Sequence, residues 1–345
     1  MFLMDEALKT LKEKGHDISG EETHAALAAI LLHDIGHGPF SHVLEHALVT
    51  NIHHEALSLL LMEQMNREWH GHLQMAIDIF TDTYPKRFLH RLVSGQLDVD
   101  RLDYLRRDSF FTGVVEGNIG SARIIKMLDV KEDKLVVESK GIYSIENFLM
   151  SRRLMYWQVC LHKTALAAEK MMINTLRRAK ELSMAGEKLF ASPALSYFLS
   201  KESNMVDFKE NGEALRHFVN LDDNDIWSAL KVWSSHPDTV LSVLSDGMVN
   251  RKLFKIEITE DESGEEKMSA HITSYMKKFG ITAHEATYFI SSDILTTDMY
   301  SEEDDSIDII YKNGEVKDIA KASDMLNIEL LSKKVQKYYF AYLRD

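Results

Sequence analysis

Cysteine and proline are scarce in this chain, and so is positive charge. The single cysteine, Cys160, excludes an internal disulfide and is expected to fill a helix face as a small hydrophobe. Four prolines in 345 residues, set in a helix-rich alphabet, favour a mainly α fold. No apolar run approaches the length of a membrane span, and Asp5 and Glu6 interrupt the one hydrophobic start, which argues against a cleavable signal. A cytoplasmic location with no membrane contact is the resulting expectation. Lys and Arg number 40 against 54 Asp and Glu, and the net charge of −14 repels a polyanion at long range, so extended nucleic-acid binding is not expected. Small phosphorylated ligands remain compatible, because Arg101, Arg106, Arg107, Arg152 and Arg153 form local basic points in an acidic whole. The basic triplet Arg177, Arg178 and Lys180 reads as a solvated helix face.

Against that background stands the run Leu31-Leu32-His33-Asp34-Ile35-Gly36-His37-Gly38-Pro39-Phe40-Ser41-His42, in which an apolar helix ends in an adjacent His-Asp pair and breaks into a glycine-rich turn. Neighbours on a helix diverge by about a hundred degrees, so such a pair shares one ion only at a helix end facing a cleft. Gly36, Gly38 and Pro39 mark an end of that kind. Imidazole nitrogen plus carboxylate oxygen suits a borderline divalent ion such as Mn, Fe, Ni or Zn, and an incomplete protein shell leaves room for water and phosphate oxygens. A His-Asp dipeptide alone is ordinarily a polar helix end; the glycine turn and the further His37, His42 and His46 raise it above that.

A second segment, Leu97-Asp98-Val99-Asp100-Arg101-Leu102-Asp103-Tyr104-Leu105-Arg106-Arg107-Asp108, places Asp100, Tyr104 and Asp108 on one stripe at i, i+4 and i+8. Asp100 can ligate a metal, Arg101 and Tyr104 can donate to phosphate, and Asp108 can accept from a sugar hydroxyl. Asp98, Asp103, Arg106 and Arg107 read as solvated charges or helix-end ion pairs.

Together with Phe110-Phe111-Thr112-Gly113, these segments resemble the HD-domain metal-dependent phosphohydrolases, in the dNTP triphosphohydrolase-like branch, over residues 1 to 170. The resemblance implies that His33, Asp34 and Asp100 are metal ligands, for an ion that is Mn, Fe, Ni, Zn or Mg. It implies that His37, His42, Glu45 and His54 form the catalytic, phosphate-side cluster. Arg101, Tyr104 and Arg152 would contact the triphosphate, and Asp108 would read the sugar 3′-hydroxyl. One departure stands out. The family's first ligand is a histidine in an Arg-x-x-His-Ser-Leu-Gly-like segment before the first helix, and no such segment occurs in this chain. The expectation is that this segment belongs upstream of Met1; the alternative is a variant with an incomplete metal shell, since neither His16 nor His24 replaces it convincingly.

The patterning predicts a helical bundle: a helix through Lys14, another from Glu21 to Asp34, short helices at Ser41–Leu48, Met75–Phe80 and Pro85–Val93, and a helix that begins near His54. Ser121–Leu128 reads as a helix and Lys134–Glu138 as one strand of a hairpin, after which Ile145–Leu182 reads as one long helical stretch. Further helices are expected at Ala194–Leu199, Asp222–Trp233 and Pro237–Leu244, with Asp222 and Asp223 as caps. Strands are expected at Lys252–Ile258, Thr287–Ser291 and Ile307–Tyr311, a hairpin turn at Asn313-Gly314, and solvated acidic loops at Glu260–Glu266 and Ser301–Asp305. The expected organisation is an HD-domain bundle over residues 1–184 and an appended α+β region over 185–345, in a homo-oligomer. The expected activity is metal-dependent hydrolysis of a nucleotide, foremost a dNTP to deoxynucleoside and triphosphate. The alternatives are another HD phosphohydrolase acting on a nucleoside monophosphate or cyclic nucleotide, and a catalytically impaired nucleotide-binding protein.

Overall fold

The structure, a computed structural model, describes residues 1–49, 52–210, 212–260, 264–297, 300, 306–325 and 335–344. It is mainly α, as expected, with two small sheets. The chain divides into two compact units that interleave in sequence, one of residues 1–35, 58–161 and 296–335, the other of residues 36–57, 162–295 and 336–345. Among the described residues no helix is long and apolar enough to cross a membrane.

The first unit is a bundle around Met4, Leu8, Leu11, Leu89, Leu102 and Phe148, all essentially inaccessible. Its helix Gly20–Leu32 starts where Ser19 and Glu22 close a capping box, the Glu22 amide donating to the Ser19 hydroxyl at 3.0 Å and the Ser19 amide to the Glu22 carboxylate at 2.8 Å. The helix Val99–Thr112 starts at Asp98, whose carboxylate accepts from the Arg101 amide, and stops at Gly113, in the left-handed region at φ 74°. Val99, Leu102 and Leu105 turn into the core, which leaves Asp100, Tyr104 and Asp108 half-buried along another stripe. The hairpin Leu128–Lys131 and Lys134–Glu138 turns through Glu132 and Asp133, both at positive φ, with Leu128 opposite Val137. Lys134–Glu138 pairs in parallel with Asp308–Ile310, which in turn pairs antiparallel with Val316–Asp318 around the Asn313-Gly314 turn.

The second unit is built on the helix Lys163–Met184, with Pro193–Leu199, Glu213–Val219, Asp223–Trp233 and Thr239–Val249 after it in sequence. Phe198, Phe208 and Phe218 form an aromatic cluster in this unit. The strand Val335–Tyr342 lies between Lys255–Thr259, which it meets antiparallel, and Ile290–Thr297.

Several local expectations are corrected. Ile145–Leu182 is two helices, Ile142–Met155 and Lys163–Met184, separated by a π turn at Tyr156–Cys160. The Leu161 amide reaches back five residues to the Tyr156 carbonyl at 2.8 Å, and His162, extended at ψ 134°, caps the next helix through its ring. Cys160 is exposed on that turn instead of filling a helix face. Of the basic triplet only Arg177 faces solvent; Arg178 and Lys180 are buried, because carboxylates and a backbone carbonyl await them. Asp222 alone caps Asp223–Trp233, closing a capping box with Asp225. The predicted Pro237–Leu244 helix runs instead over Thr239–Val249 behind the Asp238 cap, and Thr287 ends a helix that precedes the strand Ile290–Thr297. Of the acidic runs, Ser301–Asp305 and residues 261–263 lie outside the described residues, whereas Glu265 and Glu266 open the helix Gly264–Phe279.

Arg178 ties the second unit together. Its guanidinium donates to Asp238 at 2.5 and 3.2 Å, to Glu181 at 2.6 Å and to Glu285 at 2.9 Å, while Asp238 also caps Thr239–Val249. Burial opposes ionisation of Asp238 and Glu181, but the hydrogen bonds and charge of Arg178 outweigh it and hold both carboxyls below the usual range. Groups with depressed folded pKa values add stability above the unfolded pKa and lose it as pH falls through the folded one. Replacement of Arg178 by Met is expected to cost about 1–3 kcal/mol at neutral pH by leaving half-buried carboxylates without their partner. Urea unfolding at pH 7 and pH 3 checks this: the deficit should shrink at the lower pH, where the carboxylates take up protons.

Candidate metal centre

In the first unit the helix Gly20–Leu32 delivers His33 at its C-terminal cap. His33 Nδ1 donates to the Ile30 carbonyl at 2.9 Å, which sets the tautomer and leaves Nε2 as the outward lone pair. That Nε2 lies 3.3 Å from Asp34 Oδ2 and 3.7 Å from Asp100 Oδ1, and the donor atoms of all three residues fall within 4.8 Å of one another. Donors that share a first-row divalent ion at bonds of about 2.0–2.2 Å stand roughly 3–3.5 Å apart, so one imidazole and two carboxylates at these spacings fit such an ion. Burial of His33 works against its charged form, but the hydrogen bond to Asp100 and the charges of Asp34 and Asp100 prevail and raise its pKa. Two carboxylates at one imidazole make a site that draws positive charge, be it a proton or a metal ion.

The same helix that carries Asp100 carries three of the four expected substrate contacts, Arg101, Tyr104 and Asp108. Arg101 does not extend freely from it: its Nε donates to the Gly95 carbonyl at 2.8 Å and to Asp98 at 3.1 Å. Burial pushes the Tyr104 phenol up, against the pull of the Arg101 and Arg152 charges, so the phenol sits within the field of both guanidiniums. Arg152, from the helix Ile142–Met155, donates to the buried Gln96 amide oxygen at 2.7 Å. Asp108 is half-buried, and burial lifts its carboxyl pKa while Arg107 opposes the shift. Asp103 and Arg107 form an exposed i, i+4 ion pair at 2.8 Å, as expected of solvated charges. Asp98, in contrast, is buried and belongs to the arrangement as the anchor of Arg101.

The second unit gathers His37, His42, Glu45 and His54, whose donor atoms also lie within 4.8 Å of one another. Glu45, on the helix His42–Ala47, is the hub: its carboxylate is 3.0 Å from His54 Nδ1, 3.5 Å from His42 Nδ1 and 3.9 Å from His37 Nδ1. The His37 and His54 rings stack at 3.9 Å, and His42 meets both edge-on. Burial disfavours the Glu45 carboxylate, yet His42 and His54 stabilise it and hold its pKa below the usual value. An anionic hub among imidazoles can hold a proton on one ring and pass it on from another.

Each predicted site residue thus falls into one of two groups: His33, Asp34, Asp100, Arg101, Tyr104, Asp108 and Arg152 in the first unit, and His37, His42, Glu45 and His54 in the second. Gln96 and Asp98, which hold Arg152 and Arg101, were not singled out as site residues. Asp98 carried a readable N-cap signal ahead of an apolar-periodic run; Gln96 carried none.

Residues 119–192 match the family description of the HD associated region. A phosphohydrolase from Bacteroides thetaiotaomicron has the same fold, with a TM-score of 0.96 and 62% identity, covering 99% of this chain and 85% of that one. The uncharacterised protein YwfO of Bacillus subtilis is 32% identical over 327 residues, 91% of this chain and 72% of that protein. More distantly, a protein of Dictyostelium discoideum described as a deoxynucleoside triphosphate triphosphohydrolase SAMHD1 homolog is 25% identical over 197 residues, 50% of this chain and 37% of its own length. Near-complete coverage by a phosphohydrolase of such high identity accords with the His-Asp geometry, and the chain belongs to the HD-domain phosphohydrolases.

Proposed function

We propose that the chain hydrolyses deoxynucleoside triphosphates to deoxynucleoside and inorganic triphosphate. The observation that carries this reading is the polar stripe of Val99–Thr112, where Tyr104 lies in the field of Arg101 and Arg152 on the same helix as Asp100 and Asp108. A phenol and two guanidiniums suit a run of phosphates; a half-buried carboxylate one turn on suits a sugar hydroxyl.

In the proposed reaction water adds to the α-phosphorus, the bond from that phosphorus to O5′ breaks, and the alcohol leaves with a proton while triphosphate remains whole. A divalent ion held by His33, Asp34 and Asp100 would supply Lewis acidity toward a phosphoryl oxygen. Arg101 and Arg152 offset the charge of the polyphosphate, with Tyr104 as a neutral donor. Within the second unit Glu45 accepts from His54 Nδ1, which leaves His54 Nε2 as the nitrogen able to exchange a proton. His37, stacked on His54, limits where that ring can turn. Asp108 accepts from the 3′-hydroxyl and thereby registers the sugar.

Phosphorus NMR of the protein incubated with each dNTP and Mn is expected to show the triphosphate resonances alone. Release of inorganic phosphate from a monophosphate, or ring opening of a cyclic nucleotide, would replace this reading with another HD phosphohydrolase; tight binding without turnover would make the chain a nucleotide-binding protein.

Asp108→Ala is expected to lower kcat/KM for a dNTP by about 10- to 100-fold, the cost of one charged hydrogen bond, and to leave the value for the 3′-deoxy analogue nearly unchanged. Parallel steady-state assays of the two substrates measure the ratio; an equal loss on both would remove Asp108 from the sugar.

A further inference from the structure

The turn that carries the histidine cluster is held in a backbone conformation that its residues do not favour. Phe40 and Ser41, neither of them glycine, stand in succession at φ 54° and φ 50°, and Ser41 at ψ −114° lies in a region suited to glycine. Ser41 starts the helix His42–Ala47 without a side-chain cap, so the helix supplies no compensating bond of that kind. Gly38 is pressed into the same turn: a Cβ there would stand 2.3 Å from Leu44 Cδ2 and 3.2 Å from the Phe218 ring. Such a turn persists only where its surroundings over-determine it.

Those surroundings come from the helix Asp223–Trp233 of the same unit. The Phe40 amide donates to Asp223 Oδ1 at 3.1 Å, a bond between residues 183 apart in sequence, and the Phe40 ring meets Trp227, one turn along that helix, edge-on at 6.0 Å. Asp223 is otherwise superfluous at this helix end, because Asp222 and Asp225 already form the capping box. It is exposed, so it contributes nothing to a core.

We propose that Asp223 is a positioning residue: its carboxylate clamps the Phe40 amide and, with Trp227 against the Phe40 ring, keeps the strained Gly38–Ser41 turn in the form that aims His37 and His42 at Glu45. The clamp acts through the backbone of the turn and touches none of the imidazoles. Its relevance to turnover rests on the hydrolase reading above; the clamp itself does not.

Hydrogen–deuterium exchange of the full chain, followed by mass spectrometry on peptides spanning residues 38–48, tests the clamp without reference to activity. Asp223→Ala should speed exchange in those peptides about tenfold or more, as expected when a protecting bond opens locally, while peptides from the Asp223–Trp233 helix keep their rates. Asp223→Asn, which still offers an acceptor oxygen, should stay close to the wild type. Adding Ser41→Gly to Asp223→Ala should restore much of the protection, since glycine adopts that backbone freely. Where the wild type turns over dNTP, Asp223→Ala should lower kcat by about tenfold with little change in KM, the signature of misaligned groups. Wild-type exchange in Asp223→Ala, equal acceleration in Asp223→Asn, or acceleration throughout the unit would each overturn the clamp. A wild type with no turnover would count against the hydrolase reading alone and leave the exchange result standing.

Discussion

One buried carboxylate sets the register of the chemistry in the first unit. Asp98 accepts from the amides of Gly95 and Arg101 and from Arg101 Nε, and so decides at which residue the helix Val99–Thr112 begins. Everything polar on that helix inherits its direction from this starting point. With Val99, Leu102 and Leu105 committed to the core, Asp100, Tyr104 and Asp108 have one remaining stripe, and Asp100 arrives within reach of His33.

Both candidate clusters rest on the same balance between burial and charge. Each is centred on one half-buried group, His33 in the first and Glu45 in the second, where desolvation opposes ionisation and the opposite partners favour it. In the first, two carboxylates flank one imidazole, an electron-rich arrangement suited to a cation. In the second, one carboxylate serves three imidazoles, an arrangement rich in exchangeable protons. Supporting contacts act at one remove: the Ile30 carbonyl orients His33, Gln96 holds Arg152, and Asp223 holds the Phe40 amide. The first and last of these act on or through backbone groups, and the second through a buried side-chain amide.

Much of the local structure could be read from residue type and spacing. Asn313-Gly314 announced a turn between strands, and the spacing of four between Asp100, Tyr104 and Asp108 announced their shared stripe. The break at residues 156–162 could not be read, because neither glycine nor proline marks it and the apolar pattern continues through it; a π turn alone changes the phase. Nor could the burial of Arg178 and Lys180: besides Glu181, three residues on from Arg178, their partners are Asp238, Glu285, Glu202 and the Leu48 carbonyl, distant in the chain.

By itself the sequence determined which chemistry was on offer: a His-Asp pair at a helix end, a stripe of Asp100, Tyr104 and Asp108, a histidine-rich glycine turn, and too little positive charge for a polyanion. Those are properties of residue type and helical period, which neighbours in the chain suffice to express. Only the tertiary structure decided which groups meet. It brought Asp100 to His33, His54 to Glu45, Asp223 to Phe40 and the strand Asp308–Ile310 to Lys134–Glu138. Pairings over such separations depend on how whole helices and strands pack, and the hydrophobic burial that drives packing is non-directional, so no local pattern names the partner.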